Sequence, residues 1–311
     1  MKNRGGFMGE QQTKLMKLIE KNIKNDGTHE TKIDHLSIIR ASTLTEPLHS
    51  IIEPSVCFIV QGAKIVMLGE EIFRYDSSQY LITSVHLPIR GKITEATKEN
   101  PYYCIRLGFT TEQILEVVTS QREEDSLPPK RAMLVNKTTP DMTAALIRLL
   151  KLLDSPQDIS ALAPLYQKEI LYRILQNEDG NQMKQYAILG SHSQTIKEVI
   201  QVINDNYAKP LRIEELAKSV NMSLSSFHHY FKLITGMSPL QFQKMIRLQE
   251  ARRLLLSEGL EAAEAAFQVG YESPSQFSRE YSKLFGLPPK SDVKQVQENL
   301  SKRKPVYLDS K

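Results

Sequence analysis

Ser223-Leu224-Ser225-Ser226-Phe227 and Ser273-Pro274-Ser275-Gln276-Phe277 open two copies of one pattern. Phe231 falls on Tyr281, Gly236 on Gly286 and Pro239 on Pro289, all at an offset of 50. Upstream, Ala217 and Asn221 match Ala266 and Gly270 at an offset of 49, so the second copy carries one extra residue in its turn. An internal repeat is the first guide to architecture. Two copies are too few for a solenoid, so residues 211–290 read as two small self-folding modules.

In the first copy Ile213, Leu216, Ala217 and Val220 recur at helical spacing and predict a short amphipathic helix. Asn221, which tolerates the left-handed backbone conformation, takes the turn. Ser223 caps a second helix whose apolar face is Leu224, Phe227, Tyr230 and Phe231. Gly236 ends that helix, with Pro239 three residues on. In the second copy Gly270 takes the turn and Ser273 the cap. Pro274 stands at the first helical position, and Gln276 completes a capping box. The buried face is Phe277, Tyr281, Leu284 and Phe285. Two short helices across a tight turn form a helix-turn-helix, whose second helix enters the major groove. The alternative is a plain pair of helical hairpins in an all-α domain. Between the copies, Ser238-Pro239-Leu240-Gln241 opens one long helix running to about Leu256, on the order of 25 Å at about 1.5 Å per residue. Such a spacer suits two recognition helices roughly one turn of B-DNA, about 34 Å, apart.

With these motifs the chain resembles the AraC/XylS transcription regulators. The resemblance rests on Ala217-Lys218-Ser219-Val220-Asn221-Met222-Ser223, on Phe231-Lys232 with Thr235-Gly236-Met237-Ser238-Pro239, and on Arg247-Leu248-Gln249-Glu250-Ala251-Arg252-Arg253-Leu254-Leu255. Its longest part runs from Ala266 to Pro289 and includes Val269-Gly270-Tyr271-Glu272-Ser273-Pro274-Ser275-Gln276-Phe277-Ser278-Arg279-Glu280-Tyr281 and Phe285-Gly286-Leu287-Pro288-Pro289. It implies a regulator of promoter DNA, an activator rather than a repressor, that meets RNA polymerase, answers to a small-molecule effector and forms a homodimer.

The 311 residues are enough for two domains, and 41% hydrophobic with 24% charged residues is ordinary for a soluble globular chain. No apolar run approaches the roughly 20 residues of a membrane-spanning helix. Met1-Lys2-Asn3-Arg4-Gly5-Gly6 is basic but leads into no apolar core, unlike a signal peptide. Two cysteines, Cys57 and Cys104, make no disulfide framework. These features place the chain in the cytoplasm. From Ser191 onward there are 17 Lys and Arg against 13 Asp and Glu, while the preceding part holds 23 of each, so the net charge of +4 lies wholly in the C-terminal part. That asymmetry fits a neutral domain joined to a nucleic-acid reader.

In the N-terminal half, residues 11–24 read as a polar helix with Leu15, Leu18 and Ile19 on one face. Seven short runs then read as strands: 36–40, 56–60, 64–68, 72–75, 80–83, 89–94 and 102–109. Gln61-Gly62 and Leu68-Gly69 look like hairpin turns, and Asp76-Ser77-Ser78 like another turn. The expected architecture is a small barrel or sandwich. Glu53-Pro54-Ser55 to Gln61-Gly62-Ala63-Lys64, Tyr80-Leu81-Ile82-Thr83-Ser84-Val85 with Leu87-Pro88, and Asn100-Pro101-Tyr102 resemble the cupin-like sensor domain of one AraC subgroup. Residues 111–118 read as helix and 120–130 as loop. Residues 140–153 and 161–176 read as amphipathic helices, the first with Met142, Leu146, Leu149, Leu150 and Leu153, the second with Leu165, Ile170, Leu171, Ile174 and Leu175. They pack under the barrel, and the resemblance adds dimer contacts. Residues 195–207 read as the helix that opens the DNA-binding part, with Ile196, Val199, Ile200 and Ile203 on one face.

The fold class is therefore α+β: an N-terminal β-barrel or cupin-like domain plus helices, and a C-terminal all-α domain with two helix-turn-helix units joined by a long helix. The expected divisions are an N-terminal arm over 1–30, a sensor domain over 31–177, a linker over 178–192, a DNA-binding domain over 193–295 and a basic tail over 296–311.

Catalytic chemistry is sparse. There is no glycine-rich phosphate loop. His29, His35, His49 and His86 share no metal-ligand spacing, and adjacent His228 and His229 cannot chelate together from one helix face. No cofactor, metal or catalytic residue is expected. A cupin-type enzyme fused to a DNA-binding module, and a nonspecific architectural DNA binder, are the alternatives. Cys57 and Cys104 sit in strands and read as buried structural thiols, with redox or electrophile sensing as the alternative. The exposed face of the first recognition helix offers Ser225, Ser226, His228, His229 and Lys232; the second offers Ser275, Gln276, Ser278, Arg279 and Lys283. The resemblance places base contacts at Ser225, His228, His229, Ser275, Ser278 and Arg279, and Gln276 joins them on its position. Arg279 leads, because a guanidinium grips both major-groove acceptors of guanine. At His229 relatives commonly carry arginine, and a neutral imidazole gives one donor where arginine gives a fork, so the first reader should be the weaker or read a different base. Lys232, Lys283, Arg247 and Arg252 read as phosphate clamps or solvated charges. Cys57, Tyr80, His86 and Tyr102 are candidates for an effector pocket.

Overall fold

The strand-rich stretch folds, in the computed structural model, into two antiparallel sheets. The structure describes residues 4–118, 131–177, 184–187 and 192–302. Its strands are β1 (Gly27–Glu30), β2 (Leu36–Ala41), β3 (Leu48–Ile52), β4 (Ser55–Gln61), β5 (Ala63–Leu68), β6 (Glu71–Asp76), β7 (Gln79–Thr83), β8 (Leu87–Glu95), β9 (Tyr102–Gly108) and β10 (Met133–Lys137). One sheet runs β1-β2-β9-β4-β7-β10, the other β3-β8-β5-β6. The sheets share no strand, so the domain is a jelly-roll-like sandwich rather than a closed barrel. All seven expected strands are present. The three additional ones carry weak signals. β1 reads Gly-Thr-His-Glu, without an apolar residue, and β3 has no buried residue. Met133 of β10 is buried, but the rest of that strand is half-buried or exposed.

Side chains alternate across a strand, so β4 serves two interiors. Val56, Phe58 and Val60 join Tyr80 and Ile82 of β7 and Tyr103, Ile105 and Leu107 of β9 in a core shared with helices. Those helices are α1 (Arg4–Asn22), α2 (Thr111–Val118), α3 (Pro140–Lys151) and α4 (Ile159–Leu175). Cys57 and Ile59 point to the other face, toward the second sheet. The Leu68-Gly69 hairpin joins β5 to β6, with Leu68 paired to Glu71. Gln61-Gly62 is not a hairpin, since β4 and β5 lie in different sheets. It is the corner where the chain changes sheet. Gly62 has φ +83°, and a Cβ there would sit 2.3 Å from the Glu95 carbonyl oxygen. Asp76 turns the chain from β6 to β7 by accepting from the Ser78 amide at 2.8 Å and hydroxyl at 2.7 Å.

Helix α1 starts at Arg4, earlier than its apolar spacing predicts, and buries Leu15 and Ile19. α3 buries Met142, Leu146, Leu149 and Leu150, and α4 buries Ile170, Leu171, Ile174 and Leu175. Leu165 departs from the expected face and is 60% exposed. Residues 184–187, inside the expected linker, include buried Tyr186 and Ala187, the latter in the core under the sheet. The expected loop at 120–130 lies outside the described residues, as does most of the basic tail. No helix among the described residues is long and apolar enough to cross a membrane.

The helices that follow are α5 (His192–Asp205), α6 (Ile213–Ser219), α7 (Leu224–Thr235), α8 (Pro239–Arg253), α9 (Ala262–Gln268), α10 (Pro274–Phe285) and α11 (Pro289–Lys302). α5 buries all four expected residues, Ile196, Val199, Ile200 and Ile203. A π turn over Leu254–Glu258 follows α8 and ends at left-handed Gly259. By internal contacts the chain forms two compact units, Met1–Gln201 with Glu214–Pro239, and Val202–Ile213 with Leu240–Lys311. The second unit has its own core of Leu248, Ala251, Leu254, Leu255, Ala265, Ala266, Val269, Tyr271, Phe277 and Tyr281.

Candidate nucleic-acid interface

Helices α6 and α7 form the first helix-turn-helix. Asn221 takes the turn with φ +54°. The Ser223 hydroxyl accepts from the Ser226 amide at 3.2 Å and caps α7. Gly236 closes the helix in the left-handed conformation. Phe227, Phe231 and Ile234 are fully buried. The opposite stripe, Ser225, His228, His229 and Lys232, recurs at i, i+3, i+4 and i+7 and is exposed. Leu224, expected on the buried face, is 44% exposed, because the first residue of a helix lies beside the cap rather than over the core.

Helices α9 and α10 form the second. Gly270 has φ +88°, and a Cβ there would lie 2.0 Å from the Ala208 carbonyl oxygen, so only glycine fits this turn. The Ser273 hydroxyl accepts from the Gln276 amide at 3.3 Å. The expected capping box does not close: the Gln276 side chain donates instead to Glu280 at 3.3 Å. Ser275, Gln276, Arg279 and Lys283 are exposed, and Ser278 is half-buried. Among the described residues Arg279 has no intramolecular partner, so its five donors face solvent.

Arg247 and Arg252, which read as phosphate clamps or solvated charges, are neither: both are bonded within the scaffold. Arg247 is half-buried and donates to the carbonyls of Tyr207 (2.7 Å), Ala208 (3.2 Å), Lys209 (2.9 Å) and Gly270 (2.9 Å). Burial lowers its pKa from the usual guanidinium range. Arg252 makes a two-point ion pair with buried Asp292, at 2.7 and 2.8 Å, and lies 4.8 Å over the Phe285 ring. Lys232 and Lys283 remain exposed.

The AraC-type transcriptional regulator N-terminus matches residues 32–182, and a helix-turn-helix domain matches residues 216–295. The chain belongs to the AraC/XylS family of transcription regulators. It is 28% identical over 232 residues to the lactose operon transcription activator of Staphylococcus xylosus, covering 72% of this chain and 80% of that protein. It is 27% identical over 150 residues to the regulator GbdR of Pseudomonas aeruginosa, where the match spans 48% of this chain and 41% of GbdR. The apo form of a ToxT variant from Vibrio cholerae superposes with a TM-score of 0.55 at 9% identity, over 85% of this chain and 98% of that one, and shares the fold.

In this AraC/XylS regulator the expected effector-pocket residues divide between two interiors. Cys57 pairs with Arg106 and Leu81, and Cys104 with Ile59, which puts both thiols on the face toward the second sheet, with Tyr102. Tyr80 pairs with Phe58 and points the other way, into the helix-backed core, where the Asn177 amide donates to its hydroxyl at 2.6 Å. Tyr80 therefore cannot line a cavity with Cys57 and Tyr102. His86 is half-buried in the segment after β7. A cleft of about 300 Å³ at the edge of the first sheet is lined by Glu30, His35, Glu53, Ser55 and Arg106, none of which was among the expected effector-pocket residues.

One contact in the first unit had no sequence forerunner. Arg131, just before β10, donates through Nη1 to the Lys232 and Leu233 carbonyls at 2.6 Å each, and through Nε to Glu71 at 2.7 Å. The Ala132 amide donates to the Ile234 carbonyl at 3.1 Å. These donors satisfy carbonyls in the last turn of α7, and the cation suits the negative end of that helix. Arg131→Ala should cost about 1–2 kcal/mol, discounted for partial exposure. It should also speed amide exchange in the last turn of α7. Urea denaturation and hydrogen exchange check both, and unchanged exchange at 232–236 would reject this anchor.

Proposed function

We propose that the protein is a non-enzymatic activator that reads promoter DNA in the cytoplasm through both recognition helices. In this reading α7 offers Ser225, His228 and His229 to base edges, and α10 offers Ser275, Gln276, Ser278 and Arg279. Lys232 and Lys283 meet phosphates, positioning the helices without reading sequence. The observation that carries the proposal is the recurrence of one exposed polar stripe, backed by buried aromatic residues, at the same register on two helices capped the same way. The sandwich within 31–177 serves as the sensor of a small-molecule effector, held between the sheets near Cys57 and Tyr102. The chain acts as a homodimer and meets RNA polymerase at its promoters. Exposed Leu165 and Tyr172, seven residues apart on α4, offer one apolar surface for the second subunit.

Gel shifts of the full chain on genomic promoter fragments at fixed salt test the proposal. Selection of particular fragments by roughly 1,000-fold or more over random DNA is the expected result. Equal affinity for all fragments would make the chain an architectural binder instead. Arg279→Ala should cost about 1–3 kcal/mol at one base position and relax specificity there. Binding measured against a library randomised at each position checks this. A uniform loss across all sequences would reassign Arg279 to a phosphate.

A further inference from the structure

The space between the two sheets holds a cluster that DNA recognition does not use. Cys57 on β4 and Cys104 on β9 are the chain's only cysteines, and both are buried. They sit on the same face of neighbouring antiparallel strands, two residues out of register, because Cys57 pairs with Arg106 and Cys104 with Ile59. The Cys57 and Cys104 thiols are neighbours close enough to interact, and the Cys104 thiol lowers the Cys57 pKa against the opposing effect of burial; the Lys64 and Arg106 charges lower it further. The same interaction, with burial, raises Cys104. From the second sheet come Lys64 and Tyr75, a cross-strand pair. Lys64 lies along Gly91, where a Cβ would meet its Cε at 3.1 Å and its Nζ at 3.6 Å, so glycine leaves room for the lysine inside the sandwich. The Tyr102 hydroxyl is buried beside the Cys104 thiol without a well-directed hydrogen bond.

Three occupants suit paired thiols, and spacing separates them. A disulfide needs Cα atoms within about 7 Å. Diagonal neighbours on antiparallel strands stand at about 7–8 Å, at or beyond that limit. Tetrahedral zinc needs four ligands, usually three or four of them from protein. Among the described residues no three His, Cys, Asp or Glu side chains converge on one point. A single ion held between two sulfurs spans more than a disulfide bond does: at roughly 2.3 Å per metal–sulfur bond, the sulfurs stand about 4.6 Å apart in a linear arrangement. Thiolates select soft ions such as Cu(I).

We propose that Cys57 and Cys104 form a two-coordinate site for a thiophilic monovalent cation of the Cu(I) type. Binding displaces one proton from each thiol and forms two metal–sulfur bonds, with no change of oxidation state. The bis-thiolate complex carries one negative charge, which the Lys64 ammonium offsets inside the sandwich. Buried charge is tolerated only when paired in this way. The site lies in the interior assigned above to the effector and takes only its location from that reading. Direct binding tests it without DNA, so its failure would leave the sensor assignment standing.

The full-length reduced chain, kept free of oxygen, is titrated with Cu(I) against a competing chromophoric chelator. The expected result is one ion per chain, two protons released per ion, and an X-ray absorption spectrum with two sulfur ligands. Cys104→Ser should weaken binding roughly 100-fold or more, and Lys64→Met roughly tenfold, as losses of a ligand and of a supporting group do. Thermal unfolding shows whether each variant is folded. Should Cys104→Ser not fold, proton release and ligand count on the unsubstituted chain decide alone. No bound ion, binding that survives loss of Cys104, or zinc bound as tightly as Cu(I) would overturn the proposal. So would ready oxidation of the pair to an intramolecular disulfide by a hydroperoxide without Cu(I) binding.

Discussion

Replacing Arg247 with methionine should lower the stability of the second unit by about 3–5 kcal/mol, since hydrogen bonds from a charged donor are worth about 1.5–3 kcal/mol each before relaxation and four carbonyls lose theirs together. Arg247 leaves α8 half-buried and gathers the carbonyls of Tyr207, Ala208 and Lys209, which precede α6, with that of Gly270 in the second turn. Gln243, one helical turn earlier, donates to two of the same carbonyls, Tyr207 at 2.9 Å and Lys209 at 2.7 Å. The two side chains thus fix residues 207–209 on α8 and, through Ala208, set the close approach that requires glycine at 270. Methionine keeps the length and the apolar stem but supplies no donor, so the substitution isolates the hydrogen bonds. A lysine would replace a planar fork with one ammonium and should recover only part of the loss. Urea denaturation of the full chain measures both. A loss below about 1 kcal/mol would mean that water replaces the guanidinium without cost, and the residue would return to the pool of phosphate contacts.

The contrast between Arg247 and Arg279 shows where the sequence is readable. Caps, turn residues and the buried aromatic faces of both helix-turn-helix units are local signals. Asn221, Ser223, Gly236, Gly270 and Ser273 each determine the conformation of a few neighbouring residues, and each behaves as its chemistry requires. The same locality identifies the stripe that includes Arg279. Arg247 and Arg252 present no local difference from a surface arginine. Their roles depend on carbonyls 23 to 40 residues away and on Asp292, 40 residues on. In the sandwich the strands are legible as short apolar runs between turn residues, but their partners are not. Gln61-Gly62 looks like a hairpin because a glycine turn between apolar runs is the same signal whether the chain returns to its own sheet or crosses to the other. Tyr80 and Cys57 both read as strand residues, and only the register of β4 with β7 sends them to opposite interiors. Arg131 escapes for a further reason. Its acceptors are carbonyls about a hundred residues away, which carry no side-chain signature.

Asp292→Ala is expected to be as damaging as the loss of Arg247, at about 3–5 kcal/mol, because it strands a cation that the fold has half-buried. Asp292 is 4% exposed, in the first turn of α11. It accepts two bonds from Arg252 and a third from the Tyr281 hydroxyl at 2.7 Å. Tyr281 is itself fully buried on the inner face of α10, so the carboxylate joins α8, α10 and α11 at one point. Burial and the bond to Asp292 together raise the Tyr281 pKa far above its ordinary value, so the phenol stays a donor at all working pH. Removing the carboxylate leaves a guanidinium and a hydroxyl without acceptors, whereas removing Arg252 as well should restore part of the loss. A double-mutant cycle of Asp292→Ala with Arg252→Met therefore separates the cost of the unpaired charge from the worth of the pair. Because α10 carries the Arg279 stripe on its outer face, the single substitution should also weaken DNA binding, while the helix dips further into disorder as urea rises. Additive losses in the cycle would show that the two side chains act independently and that the observed ion pair contributes nothing to holding the second recognition helix.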